Sequence, residues 1–426
     1  VIFLAAVGLC AAFAEEVGLL PFEEAWLPGG LHVVAHAVPS STRAALHLRL
    51  PGGASLDPPG RAGRAHLLEH LAFTGTELVP GGGYDRLLAG VGGSSGGWTT
   101  RDALVLTAEV PDEALPLALA LERDRLRGLQ VSADALAAQR AVVARERVER
   151  ARSTAVDRLL ARSLWPADHP YGRSVLGTDE SLAAITADEL RAAWARITRL
   201  HGILLVIVAP RPAAALLELA RATFADLGGA EGVRHLPPLA PSPAPRGRQW
   251  ARDDVSPPRV RVAWRLPLLP PGDAAALDLF CELVAPRLPP GVGIRRWEGA
   301  AGGELVIGGL AERPEALLLR IRAAVRDTLR SGLTPGALSA AAARQRTREL
   351  LALEMPSERA SSLAECAAQH STADCLPQRW AARAASSPAT VAEVSGRLVP
   401  LARALTVVLT GPDGPPVAGA TRLEWP

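Results

Sequence analysis

The chain has 426 residues, 48% hydrophobic and 21% charged, and its 46 basic and 44 acidic side chains leave a formal charge of +2. This balance excludes a disordered polymer and a coiled-coil rod, and it gives no reason to expect a nucleic-acid partner. At about 150 residues per domain the length predicts two or three domains, each able to bury a core. Every base except histidine is Arg, and Lys and Asn are both absent, which with the excess of Ala, Gly and Pro reads as a compositional bias rather than as chemistry.

In chain order, residues 1–14 form an apolar run that ends in Ala12-Phe13-Ala14 and meets Glu15 and Glu16. The run is too short to span a bilayer, and its length and small-residue ending predict a secretory signal peptide, although no basic segment precedes it. A buried first strand is the alternative. Cleavage would leave Cys281, Cys366 and Cys375; Cys366 and Cys375 could close a small loop in an oxidising compartment, with free buried thiols as the other reading. The signal segment predicts a secreted or periplasmic protein, and no membrane-spanning helix is expected in the mature chain.

A strand at 44–50 is followed by Pro58-Pro59-Gly60 and a helix starting near Arg61, then a strand at 104–110, a helix at 113–129 and an Ala-rich helix from Ala133. Residues 203–209, between Gly202 and Pro210, read as a buried strand. Residues 233–248 are too rich in proline for helix or central strand and predict an interdomain linker. Beyond it the pattern recurs: a strand at 259–266, Pro270-Pro271-Gly272, a helix from Asp273, a strand at 304–310, a helix at 315–329 and another from Pro335. This predicts an internal duplication and an α+β fold, with a first domain at 15–232 and a second at 249–426.

The chemistry lies in the first copy. His66-Leu67-Leu68-Glu69-His70 reads H-x-x-E-H. At about 100° per residue on a helix, positions 66, 69 and 70 share one narrow sector, so two imidazoles and a carboxylate converge. Two imidazoles suit zinc, and a neighbouring carboxylate can take a proton from water instead of binding the metal. A third ligand is needed. In the helix at 133–151, Glu146 follows Val142 and Val143 by four and three positions and so points to the same side. The alternative for Glu146 is an ion pair with Arg145, Arg147 or Arg150; Glu149 is a weaker ligand candidate.

The stretch His66 to Thr76, HLLEHLAFTGT, resembles the inverted zinc motif of the pitrilysin and insulinase metallopeptidases. Further resemblances follow in order: Gly92-Gly93-Ser94-Ser95 with Trp98-Thr99-Thr100-Arg101-Asp102, Glu122-Arg123-Asp124-Arg125, the run from Gln139 to Glu146, and His169-Pro170-Tyr171-Gly172 with Leu176-Gly177-Thr178. They extend from about residue 30 to residue 210, and the short duplicated chain is similar to the processing-peptidase branch. The resemblance implies one Zn2+ per chain held by His66, His70 and Glu146, Glu69 as general base, and two homologous domains, each a mainly antiparallel sheet with helices on one side. It implies hydrolysis of peptides or unfolded polypeptides held as an added strand along 92–100, with Gly96, Gly97, Trp98 and Thr99 as candidate substrate contacts. On residue grounds alone, 92–100 could equally be a hairpin loop.

Departures from the family carry expectations of their own. Gly96-Gly97 stands where relatives usually place an Asn, and Gln139 stands where some have a second Glu; Gln139 can still orient a zinc ligand. Relatives use an Arg and Tyr pair from the second half as a substrate clamp, but the only tyrosines here are Tyr84 and Tyr171, and the segment 286–302 is short and rich in Gly and Pro. A second subunit, in a heterodimer or a homodimer, is therefore expected to complete the site. A non-catalytic partner or scaffold subunit of the same fold is the alternative function. The remaining histidines show no ligand spacing, and no phosphate-binding loop is present.

Overall fold

Two six-stranded sheets organise the chain. The computed structural model describes residues 20–27, 30–198, 202–227, 244–370, 372–373 and 375–424, so the expected signal segment and residues 233–243 of the expected linker lie outside it. The first sheet contains β1 (Phe22–Trp26), β2 (His32–Ala37), β3 (Arg43–Pro51), β4 (Ser94–Thr99), β5 (Ala103–Pro111) and β6 (Leu204–Ala209), in the order β1-β2-β6-β3-β5-β4. The second contains β7 (Gly247–Arg252), β8 (Arg259–Leu266), β9 (Val292–Gly299), β10 (Gly302–Leu310), β11 (Leu405–Thr410) and β12 (Thr421–Arg422), in the order β12-β7-β11-β8-β10-β9. The last two residues of the expected linker thus already belong to β7.

The duplication is visible strand by strand. Strands β2-β6-β3-β5-β4 repeat as β7-β11-β8-β10-β9, and in both sheets the first of these pairs is parallel and the next three are antiparallel. The fold is α+β with mixed sheets. In the first half the helices are α1 (Arg64–Leu71), α2 (Gly83–Gly90), α3 (Leu115–Gly128), α4 (Ala133–Leu164), α5 (Asp179–Ala184), α6 (Ala187–Ile197) and α7 (Ala213–Thr223). In the second half they are α8 (Pro271–Val284), α9 (Pro314–Asp327), α10 (Pro335–Ala352), α11 (Pro356–Gln369), α12 (Leu376–Ala385) and α13 (Pro388–Leu398).

Helices cover both faces of each sheet, not one. On one face of the first sheet Leu46, Leu48, Leu104 and Leu106 meet Leu67 and Leu71 of α1, Leu119 of α3 and Trp194 of α6. Its other face, with Val34, Ala45, Val206 and Val208, is covered by Leu363 and Ala364 of α11, which comes from the second half. The exchange is reciprocal. The inner face of the second sheet packs Val260, Val262 and Ile307 on Phe280 of α8 and Ile321 of α9, while Ala263, Leu405 and Val407 on its outer face receive Val156, Leu159 and Leu160 of α4. The physical reason is legible in the strands: successive residues of β6 and β11 are all buried, and such runs need cover on both sides. It also explains why α4 continues past residue 151, where its expected span ended; its second half serves the other sheet.

A further contact crosses between the halves. The segment at 286–302, short and rich in Gly and Pro, builds the edge strand β9 and a tip that docks on the first half. There the amides of Ala300 and Ala301 donate to the Asp102 carboxylate (3.0 Å) and the Tyr171 phenol (3.2 Å), and Tyr171 donates to Asp102 (2.6 Å). Arg101 pairs with Glu304 (3.1 Å) and lies over the Trp297 ring. Glycine is required at the tip, since a Cβ on Gly299 would stand 2.4 Å from an Asp102 carboxylate oxygen. Cys366, near the end of α11, is bonded to Cys375 ahead of α12, and both are buried. Cys281 is free, and burial pushes its thiol pKa up.

Candidate metal centre

The inverted motif is helical because its ends are held. The amides of Gly63 and Ala65 both donate to the Asp57 carboxylate at 3.0 Å, so a side chain outside the helix satisfies two N-terminal donors of α1. Past the other end, Phe73 packs edge-on against Tyr84, whose hydroxyl donates to the buried Glu122 (2.6 Å), and Glu122 pairs with the buried Arg125. The motif Glu122-Arg123-Asp124-Arg125 therefore acts from below: Asp124 also accepts from Thr76.

On this support His66 and His70 project from α1 towards Glu146 of α4. Nε2 of His66 lies 3.6 Å and Nε2 of His70 3.4 Å from the same carboxylate oxygen of Glu146. One donor atom from each residue falls within 4.8 Å of the other two. Zinc bonds of about 2.1 Å at tetrahedral angles put ligand atoms about 3.4 Å apart, so this donor set fits zinc. Burial, with the positive field of His70 and Arg150, depresses the His66 pKa to about 3, which keeps that imidazole neutral and able to donate an electron pair. The Gln139 amide oxygen sits 3.2 Å from Nδ1 of His70 and orients the ring, as expected for that position. Nδ1 of His66 is buried with no such partner.

Glu69 occupies the place of a base beside this set. Its carboxylate is 4.0 Å from Nε2 of His66 and accepts a hydrogen bond from the Thr99 hydroxyl at 2.6 Å. Burial raises its pKa, and the Thr99 bond opposes the rise. Thr99 had been expected only as a substrate contact; its hold on Glu69 was not foreseen. Glu146 combines its two readings, since its second oxygen is paired with Arg150 at 2.9 Å. Arg150 is thus not left to solvent alone, and Arg147 pairs with Asp179. Glu149, one turn on, is exposed.

The other substrate candidates lie on β4, which among the described residues pairs with β5 alone and leaves its second edge open. Alternation puts Ser95, Gly97 and Thr99 on the face of the metal cluster, and Gly96 and Trp98 on the opposite one. A Cβ on Gly97 would sit 3.2 Å from the Phe73 ring, whereas Gly96 has its nearest neighbour at 3.5 Å and room for a side chain. Trp98 packs edge-on against His47, away from the metal cluster. Of the remaining described histidines, His32 pairs with Glu24, His36 donates to the Pro21 carbonyl and His169 accepts from the Tyr171 amide. His201 and His235 lie outside the described residues.

The second copy shows what replaces this chemistry. Its α8 carries Asp278 and Glu282; Glu282 pairs with Arg344 (3.0 Å) and Arg348 (2.5 Å) of α10, and Asp278 with Arg296 (2.8 Å). Arginines neutralise the acids there.

A duplicated α+β fold with two histidines and a glutamate brought together from facing helices defines a candidate metal centre. Residues 32–179 match the family model "Insulinase (Peptidase family M16)". Over those residues, about a third of the chain, the sequence is that of an M16 peptidase family domain. An "uncharacterized zinc protease" of Streptomyces coelicolor is 30% identical over 178 residues, which are 41% of this chain and 39% of that protein, so the match spans well under half of the relative. The crystal structure of a protease from Helicobacter pylori superposes with a TM-score of 0.83 at 20% identity, covering 92% of this chain and all of that one. An M16 "inactive domain" from Pseudomonas fluorescens gives 0.79 at 17% identity, covering 95% of this chain and 100% of that one. At such identities the two structures speak for the fold alone.

Proposed function

We propose that the chain is a zinc-dependent endopeptidase that hydrolyses peptides or unfolded polypeptides. The observation that carries this reading is Glu69: a metal site that only stabilises the fold gains nothing from a half-buried carboxylate beside its three ligands, whereas hydrolysis requires one. His66, His70 and Glu146 would hold one Zn2+, which when bound lowers the pKa of water to about 7 and polarises a carbonyl. Glu69 takes the proton of the attacking water and later delivers it to the leaving amine, and the Thr99 hydrogen bond restrains its carboxylate. Gln139 fixes His70. An extended substrate would pair with the open edge of β4, where Gly96 and Gly97 permit close backbone approach.

In this reading residues 15–232 form the catalytic domain, 233–248 a linker, and 249–426 a homologous domain without catalytic residues. The buried Cys366–Cys375 bond supports an oxidising compartment, hence a secreted or periplasmic protein. Among the described residues no helix is long and apolar enough to cross a membrane. With no tyrosine in the second half to clamp substrate, a second subunit, either another family member or a second copy, is proposed to supply it. The second reading, a non-catalytic partner subunit, draws on that same lack and on the empty space beside Gly96.

Zinc content and cleavage of unstructured fluorogenic peptides, with and without a co-purifying chain, separate the two. The peptidase reading expects about one zinc per chain, and a Glu69→Gln protein that keeps the metal and loses activity by about 100-fold or more. Zinc present with no peptide cut, alone or with a partner chain, refutes it and favours the scaffold.

A further inference from the structure

On the far side of the first sheet from the metal cluster, the seam between the halves forms a half-open cavity of about 570 Å3, within the range of small-molecule sites. We infer that this cavity binds a small carboxylate carrying a flat, preferably aromatic, body. Arg49 of β3 lines it and, among the described residues, makes no hydrogen bond and no ion pair. Of the acids that share the cavity, Asp102 acts on this charge from a distance, raising the Arg49 pKa against the effect of burial, but makes no hydrogen bond or ion pair with it. Asp102 is committed to Tyr171 (2.6 Å) and the Ala300 amide (3.0 Å), Glu298 to Arg296 (2.6 Å), and Glu365 stands exposed at the rim. Arg49 thus opens its planar fork to the cavity with no acceptor on it among the described residues, and that fork matches a carboxylate through two parallel hydrogen bonds.

The walls set the rest of the ligand. Trp98 and Trp297 line the cavity from the two halves, and His47 adds a third ring, so an aromatic body finds stacking surface on several sides. The ligand is not a side chain of a strand lying along β4. The backbone of such a strand would be three strand spacings, about 14 Å, from that of β3, with β4 and β5 between, so an ordinary side chain on it does not reach the Arg49 fork. The site is therefore separate from the metal centre, and binding there does not depend on whether the chain cuts peptides.

Isothermal titration of the full chain tests this, using N-acetyl-L-tryptophan, phenylacetate and benzoate, each against its primary amide, with inorganic phosphate as a bare anion. The expected result is that at least one acid binds and its amide binds about tenfold more weakly or worse. Arg49→Gln should lose binding to a similar extent, and Arg49→Lys, which keeps the charge without the fork, should fall between. Treatment with EDTA should change nothing. The inference is overturned if none of the acids binds, if acid and amide bind alike, if phosphate binds as well as the aromatic acids, if folded Arg49→Gln and Arg49→Lys bind like wild type, or if EDTA abolishes binding and so places the carboxylate on the metal.

Discussion

Replacing Glu122 by Gln should destabilise the chain far more than the loss of one hydrogen bond. Glu122 and Arg125 are both fully buried, at 0% exposure. One guanidinium nitrogen of Arg125 donates to both carboxylate oxygens, while its other two nitrogens have no hydrogen-bond partner. Burial works against the charge of Arg125, and Glu122 with Tyr84 overcomes it, so the pKa of Arg125 is raised. The Gln side chain keeps the shape and one acceptor but strands the cation. Removing one partner of a buried pair costs about 3–5 kcal/mol, which for a cooperative unit of this size corresponds to a fall in Tm of about 3–6 °C. A double-mutant cycle with Arg125→Met isolates the pair: the double variant should recover about 2 kcal/mol or more of the summed single losses. Urea unfolding followed by circular dichroism supplies the four stabilities. Additivity within about 0.5 kcal/mol, or a loss below about 1 kcal/mol for Glu122→Gln, would refute the reasoning.

Other expectations follow from the seams. Gly299→Ala forces a Cβ to within 2.4 Å of the Asp102 carboxylate and should cost about 1–3 kcal/mol, read as a lower urea midpoint; an unchanged midpoint would mean that the tip is not docked as described. His47 has its pKa depressed to about 4, mainly by burial and then by Arg49, so its contribution to stability is complete above the unfolded value of 6.5 and is lost as the pH falls from there towards 4. The loss approaches about 3 kcal/mol, and His47→Gln should flatten that part of the stability profile between pH 7.5 and 4.5. Reducing the Cys366–Cys375 bond, which closes a loop with a sequence separation of 9, should cost about 2–3 kcal/mol in the chain-entropy account, seen as a lower Tm in dithiothreitol that Cys366→Ser/Cys375→Ser reproduces.

Much of the candidate site could be read from local periodicity. His66, Glu69 and His70 share a helix, so their convergence follows from residue spacing, and Glu146 could be placed because Val142 and Val143 show which side of α4 turns inward. The strands at 44–50 and 259–266 stood out for the same reason. Contacts between elements distant in sequence left no such trace. The bond from Thr99 to Glu69 joins an edge strand to a helix 30 residues away, and nothing in the Trp98-Thr99-Thr100 run distinguishes it. Strand β9 was hidden by its glycines and arginines, and its register depends on β10. The exchange of α4 and α11 was also unreadable, because an apolar stripe shows that a helix is covered and not by which sheet.

That exchange bears on how the chain is made. A ribosome delivers the first sheet complete by about residue 209, yet the helix that covers its outer face begins at Pro356. For the synthesis of that whole interval, Val34, Ala45, Val206 and Val208 present an uncovered apolar surface flanked by strand edges, the kind of species that aggregates or recruits a chaperone. Neither half is then a self-sufficient folding unit: a chain cut between 228 and 243 leaves one fragment with a bare sheet and the other with its own sheet missing the end of α4. The two fragments should gain structure only when mixed, each serving as the other's missing layer.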